Sequence, residues 1–213
     1  LLGRILKVSQ KHLILLVAGT AICGGTAIAS LAPIIKAKTE ELISSISLVF
    51  LLNLLAIIFF PLLGQYMGMS EKDFGIFAAL TIHDTASVLG AASIYGEESV
   101  VYASVIKLGR TLWIIPMILS FSLYFKNKDP EYNFPYFIIF FLAFVLLGTF
   151  VDLNQDIQIM IKKISNALFL LGLFFIGSQF NLKTISELSI KPIIFSITLW
   201  LIIIIATLLI FYV

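Results

Sequence analysis

Thr81-Ile82-His83-Asp84-Thr85-Ala86-Ser87 is a polar knot inside an otherwise apolar stretch, and its reading decides the fold. Upstream, Ala21-Ile22-Cys23-Gly24-Gly25-Thr26-Ala27-Ile28-Ala29 interrupts another hydrophobic run with small residues. Charged groups are costly at membrane depth, and irregular backbone is tolerated there only beside protein or water. Two such interruptions in one chain point to a built site within a polytopic membrane protein, and to transport as its work.

The surrounding composition agrees. The chain is 60% hydrophobic and 12% charged, with a mean hydropathy of +1.08. Soluble domains carry about 25% charged residues. A net charge of +2 without a Lys/Arg block gives nucleic acid nothing to bind. The single cysteine, Cys23, excludes an internal disulfide, and His12 and His83 are too far apart for a local ligand pair. The absence of a phosphate-binding loop argues against ATP drive within the chain. Leu1 stands where Met would open a complete protein, and no signal-peptide pattern follows it. The expectation is a chain that begins partway through a longer protein.

A spanning helix needs about 20 apolar residues. Seven segments qualify: 13–35 (broken at Gly24-Gly25), 43–63, 74–95 (broken at His83-Asp84-Thr85), 98–125, 136–153, 157–181 and 191–213. The connectors are short and polar, so the expected fold is one all-α transmembrane bundle with discontinuous helices. With seven crossings, the loops holding Arg4, Lys7, Lys11, Lys72, Lys126, Lys128, Lys183 and Lys191 fall on one side. Lys36, Lys38, Lys162 and Lys163 fall on the other. The excess of basic residues places the first set in the cytoplasm and Val213 outside. Ala167–Leu173 resembles the small-residue segment at Gly24-Gly25, five spans later, and an odd offset implies inverted topology. On that arrangement 1–63 closes a first repeat, 74–213 forms the second, and about three spans precede Leu1.

His83 and Asp84, at an unwound centre, could bind a proton, an ion or a polar substrate group, with Thr81, Thr85 and Ser87 adding hydroxyls. The same residues would also serve as a helix cap at the membrane surface. Lys107 lies roughly 14 Å along a helix starting near Glu98, at about 1.5 Å per residue. Arg110 shares its face. Two cations near mid-bilayer need an anionic partner: Asp84 for one, and an anionic substrate for the surplus. Snorkelling to headgroups is the alternative. Gly24, Gly25 and Thr26 could offer backbone N–H groups to an anion at a half-helix N-terminus, or could simply allow close packing. Asn53, Asn166, Gln179 and Asn181 read as interhelical hydrogen-bonding residues or helix ends. Asp152 and Asp156 have a spacing that could hold Mg²⁺ in an intramembrane lipid or prenyl enzyme, but a second aspartate-rich motif is missing and a loop explains them more simply.

Taken together, Cys23-Gly24-Gly25-Thr26-Ala27-Ile28-Ala29, Ala32-Pro33-Ile34-Ile35, Phe74-Gly75, Ile82-His83-Asp84-Thr85-Ala86 and Val105-Ile106-Lys107-Leu108-Gly109-Arg110 resemble the YeiH-like family of bacterial inner-membrane proteins. Thr26 replaces a more usual Ser, keeping the hydroxyl, and Ser87 replaces a more usual Gln. The resemblance implies a sulfate exporter, or a transporter of a related sulfur oxyanion or sulfonate. It also implies kinship with inverted-repeat transporters having broken helices. The expected function is therefore secondary transport of a small anion across the inner membrane, without catalysis or a cofactor. Proton coupling would run through His83 and Asp84, with Na⁺ coupling as the other option. A homodimer is compatible with such a bundle.

Overall fold

The structure, a computed structural model, describes residues 2–125, 154–178 and 189–212, with scattered helical positions between 140 and 150. All regular structure among the described residues is helical. The chain divides into two compact units. One contains Leu1–Glu131 and Phe180–Val213, and the other Tyr132–Gln179. The first carries α1 (Leu2–Ile5), α2 (Gln10–Ala21), α3 (Gly25–Ile34), α4 (Thr39–Tyr66), α5 (Glu71–Thr81), α6 (Thr85–Tyr95), α7 (Glu97–Leu112), α8 (Ile114–Phe125) and, after α9, α10 (Ile190–Tyr212). The second carries α9 (Gln155–Ser178).

Among the described residues, three helices are long and apolar enough to cross a membrane: Thr39–Tyr66, Glu97–Phe125 (α7 and α8 end to end) and Ile190–Phe211. These correspond to the expected spans 43–63, 98–125 and 191–213. The expected spans 13–35 and 74–95 are different, because both reverse direction at their breaks and neither crosses. In the first, the Lys11 ammonium near the start of α2 donates to the Lys36 carbonyl just past α3, at 2.5 Å. Gly19 of α2 backs onto Ile28 of α3 so closely that a Cβ there would lie 2.7 Å from Ile28 Cδ1. In the second, the rings of Phe74 and Tyr95 stack with centroids 3.9 Å apart. The Tyr95 hydroxyl also donates to the Met69 carbonyl at 2.5 Å. Residues 21 positions apart on a continuous span would be separated by about 30 Å at 1.5 Å per residue. Both segments are therefore helical hairpins.

The reversals follow from local chemistry. Gly24 has φ +61, a left-handed conformation that favours glycine, and its N–H closes onto the Gly19 carbonyl at 2.9 Å. At the second tip, Ile82 and Asp84 are extended, and Asp84 caps α6 by accepting from the Ser87 N–H at 2.8 Å. Each hairpin also starts on a serine cap. Ser9 Oγ accepts from the His12 N–H, and Ser70 Oγ from the Asp73 N–H.

The two hairpins enter from opposite ends of α4. The mouth of α2–α3 lies where α4 begins, since the Ser9 hydroxyl donates to Glu41. The mouth of α5–α6 lies where α4 ends, since Gly64 packs against Phe74 and Tyr95. From that second face α7 departs, its Glu98 N–H held by Glu71 at 2.9 Å. Phe121 and Phe125 of α8 return to the first face, into the apolar cluster around α3 that Ala37 and Leu42 join. Around the second hairpin, Leu52, Phe60, Phe74, Phe77, Ile82 and Trp200 form the main core.

This topology redistributes charge. Lys7, Lys11, Lys36, Lys38 and Lys191 belong to the first face, whereas the second holds Lys72 among Glu71, Asp73, Glu97 and Glu98. The seven-crossing count had separated Lys36 and Lys38 from Lys7 and Lys11 and had grouped Lys72 with them. α9 runs unbroken through Ala167–Leu173, so that segment is not a second break, and the break opposing Gly24 is Ile82–Asp84. The expected span 136–153 lies largely outside the described residues, as do Gln179 and Asn181.

Candidate functional site

The hairpin tips meet beside the middle of α4. A Cβ placed on Gly24 would stand 3.1 Å from Val49 Cγ1, 3.3 Å from His83 Cβ and 3.4 Å from the Asp84 nitrogen. Any side chain there would press on the opposing tip, so glycine gives the two tips their closest approach. His83 is 1% exposed and Asp84 9%, so both lie inside the protein.

Each tip leaves a helix end without its usual partners, because the last carbonyls of a helix have no intrahelical donor. Arg110 supplies donors to both ends at once. Nη1 donates to the Ala79 carbonyl and to Leu80 O at 2.9 Å. Nη2 donates to Thr20 O at 2.8 Å and Ala21 O at 3.0 Å. One guanidinium thus joins the C-termini of α2 and α5. Lys107, with no exposed surface, donates to Ile82 O at 2.7 Å. The Trp200 indole of α10 completes the tip by donating to Thr81 O at 2.8 Å. Thr81 itself donates to Phe77 O.

The two cations were expected to need carboxylate or substrate partners. Instead, helix-terminal carbonyls take up their hydrogen bonds, and the dipoles explain why. A helix C-terminus carries about −0.5 of an elementary charge, so two converging ends offset roughly one cation. The fork of a guanidinium can reach both ends, which an ammonium cannot.

Asp84 is engaged elsewhere. Its carboxylate accepts from Asn53 Nδ2 and, besides the Ser87 N–H, from the Ser87 hydroxyl at 2.5 Å. Asn53 Oδ1 accepts the His83 N–H at 3.0 Å and lies 3.0 Å from His83 Nδ1. Asn53 is therefore part of the cluster, though its sequence signal was only that of an isolated polar residue in an apolar span. Trp200 was missed altogether. The one available clue was an indole, which wants an acceptor when buried, in the middle of a long apolar helix.

Gly24, His83, Asp84, Lys107 and Arg110 are thus brought together. Gly25, Thr26 and Thr85 flank the junction on a more open side: Gly25 and Thr85 are half-buried and Thr26 is exposed. α3 has no side-chain cap at Gly24, in contrast to α6, whose N-terminus Asp84 fills. Among the described residues no cluster of three or more His, Cys, Asp or Glu side chains could hold a metal. Asp156 is exposed in the first turn of α9, and Asp152 lies outside the described residues.

The family comparisons agree with a membrane protein. The model for Conserved hypothetical protein 698 matches residues 1–196. A UPF0324 membrane protein of Bacteroides thetaiotaomicron is 39% identical over 207 residues, covering 96% of this chain and 62% of the relative. One from Photobacterium profundum is 39% identical over 199 residues, covering 93% and 61%. One from Porphyromonas gingivalis is 37% identical over 203 residues, covering 94% and 62%. The chain spans about three-fifths of the length of these relatives. No solved structure matches. With its matched residues 1–196 running through both hairpins and the first two long apolar helices and into the start of the third, the chain belongs to the Conserved hypothetical protein 698 family, the YeiH-like UPF0324 membrane proteins.

Proposed function

We propose that this chain is the core of a secondary transporter for a small anion. The observation that carries this reading is the meeting of two re-entrant hairpin tips beside the midpoint of α4. A plain helix would cross a bilayer without exposing backbone ends. Two reversals at that depth, stabilised by buried Lys107 and half-buried Arg110, incur a cost that a purely structural bundle has no reason to bear. Discontinuous helices whose ends point at a common centre are how many transporters handle ions and substrates.

The hairpin–span unit 10–66 is followed by a second, 71–125, that starts from the opposite face. This is the inverted repeat of the proposal, in place of the boundaries 1–63 and 74–213. The basic face is cytoplasmic by the excess of Lys7, Lys11, Lys36, Lys38 and Lys191 over Lys72, and the bacterial inner membrane, as the family resemblance suggests, is the location.

The anion class rests on the uncapped N-terminus of α3. Arg110 is offset by the two helix C-termini, and Lys107 by the nearby Asp84 carboxylate. What is left is the positive end of α3 with Gly25 and Thr26 on its open flank. A sulfur oxyanion, as the family resemblance suggests, has the charge and acceptors for that position. His83 and Asp84 provide the coupling site for a proton, with outward movement as the direction.

Reconstitution of the full-length protein in liposomes tests this reading. Labelled sulfate, sulfite, thiosulfate and small sulfonates would be followed under imposed H⁺ and Na⁺ gradients. Flux of one of these anions should respond to the H⁺ gradient. Thr26→Val, which removes an exposed hydroxyl, should raise KM about tenfold, the loss of one hydrogen bond to a charged group. Flux driven only by Na⁺ would overturn the proton coupling, and no flux of any anion would overturn the substrate class.

A further inference from the structure

Asn53 determines which nitrogen of His83 is bare. Its amide orientation is fixed at both ends, because Nδ2 donates to the Asp84 carboxylate and Oδ1 accepts the His83 backbone N–H at 3.0 Å. That same oxygen lies 3.0 Å from His83 Nδ1. A carbonyl oxygen only accepts, so Nδ1 carries the hydrogen and the neutral ring presents Nε2 as an unprotonated lone pair. His83 Nε2 is buried and has no hydrogen-bond partner among the described residues. An unsatisfied buried acceptor costs stability and invites a functional explanation.

We infer that His83 Nε2 is the proton-binding atom of the junction, that Asn53 is the positioning residue that keeps it bare, and that Asp84 serves as the cap of α6 and the anchor of Asn53. This deepens the transport reading and rests on it for the proton's use, although the assignment of the atom stands on the geometry alone. The charged and titratable groups around the ring are Lys107 and Arg110 of α7, Asp84 next in the chain, and Cys23 beside Gly24 at the opposing tip. α4 contributes the neutral Asn53, and α10 the neutral Trp200, whose ring centroid is 6.1 Å from that of His83. A proton arriving at Nε2 adds positive charge where two cations already bind the helix ends. Its binding would therefore weaken the hold of Arg110 and Lys107 on the tips, a direct link between protonation and movement of the hairpins.

The test is nitrogen-15 solid-state NMR of histidine-labelled full-length protein in bilayers. The His83 signal would be assigned by its loss in His83→Gln. It would be assigned independently in the wild type by transfer from the labelled Asn53 amide carbon to Nδ1, should that variant not fold. The expected result is a protonated Nδ1 with a bare Nε2 near neutral pH, and protonation of Nε2 on acidification. Asn53→Leu should give a mixture of tautomers and move the midpoint of the proton-driven flux by about one pH unit, the scale of one hydrogen bond. A wild-type ring protonated at Nε2 and bare at Nδ1 would overturn the assignment. So would a ring that stays neutral throughout the acidic range in which the protein remains folded. An Nε2 that titrates in a transporter that carries no protons would overturn the coupling but not the assigned atom.

Discussion

Arg110→Ala should be the most damaging single substitution in the chain, lowering stability by about 3–5 kcal/mol and abolishing transport. The guanidinium donates to four carbonyls, at the ends of α2 and α5, that have no helical donor of their own. A hydrogen bond to a charged group contributes about 1.5–3 kcal/mol, but the four act as one unit and do not add. Ala21 is exposed, so water can relieve part of the loss at that end. Ala79, in contrast, is fully buried in the main core. Arg110→Lys should recover less than half of the stability, because a single ammonium cannot straddle both helix ends. Thermal unfolding of the full-length protein in detergent distinguishes the possibilities. A variant series in which Ala unfolds like wild type would mean that the tips are held by something other than this residue.

Gly24→Val has the second largest expected effect, and by a different route. The φ of +61 costs an L-residue about 1–2 kcal/mol, more when it is β-branched. The new Cβ would also press on Val49, on His83 Cβ and on the Asp84 backbone at 3.1, 3.3 and 3.4 Å. Val49 belongs to the hairpin's own apolar cluster and His83 is packed on every side, so the added methyl groups must drive the tips apart. The expected outcome is a protein still inserted in the membrane, destabilised by about 2–4 kcal/mol, the combined scale of backbone strain and overpacking, with flux reduced at least tenfold. Gly24→Ala should fall between Val and wild type. Equal activity for all three would show that the tips do not need to meet.

These two positions also show how far the sequence could be read. The apolar runs, the breaks at Gly24 and His83-Asp84, and the burial of Lys107 were legible, because polar groups inside a 20-residue apolar segment have few places to go. The direction of the chain after each break was not. Eleven residues on either side of a break suit half a crossing and a return equally well, and the period of hydrophobic residues is the same in both. What decides between them is long-range contact: Phe74 on Tyr95, Lys11 on Lys36, Gly19 against Ile28. Charge offered a hint, since a hairpin returns Lys36 and Lys38 to the face that holds Lys7 and Lys11 and isolates Lys72, a cleaner bias than seven crossings give. The partners of Lys107 and Arg110 were hidden for a related reason. Counting side-chain charges leaves out the partial charges of helix ends, and those ends arise only once the hairpins exist. Asn53 looked like one polar residue in an apolar helix, and its link to His83 and Asp84 depends on the second tip arriving at its level.

Labelling of single cysteines from one side of the membrane tests the hairpin topology most directly. Cysteines would be placed at Lys11, Lys36, Lys72 and Glu97 in full-length protein lacking Cys23 and any other cysteine, then exposed to an impermeant maleimide in intact cells and in inverted vesicles. The hairpins require Lys11 and Lys36 to label together from the cytoplasmic side, and Lys72 and Glu97 to label together from the outside. Labelling of Lys11 and Lys36 from opposite sides, or of Lys72 and Glu97 from opposite sides, would mean that the broken segments cross the membrane and that no pair of tips meets within it.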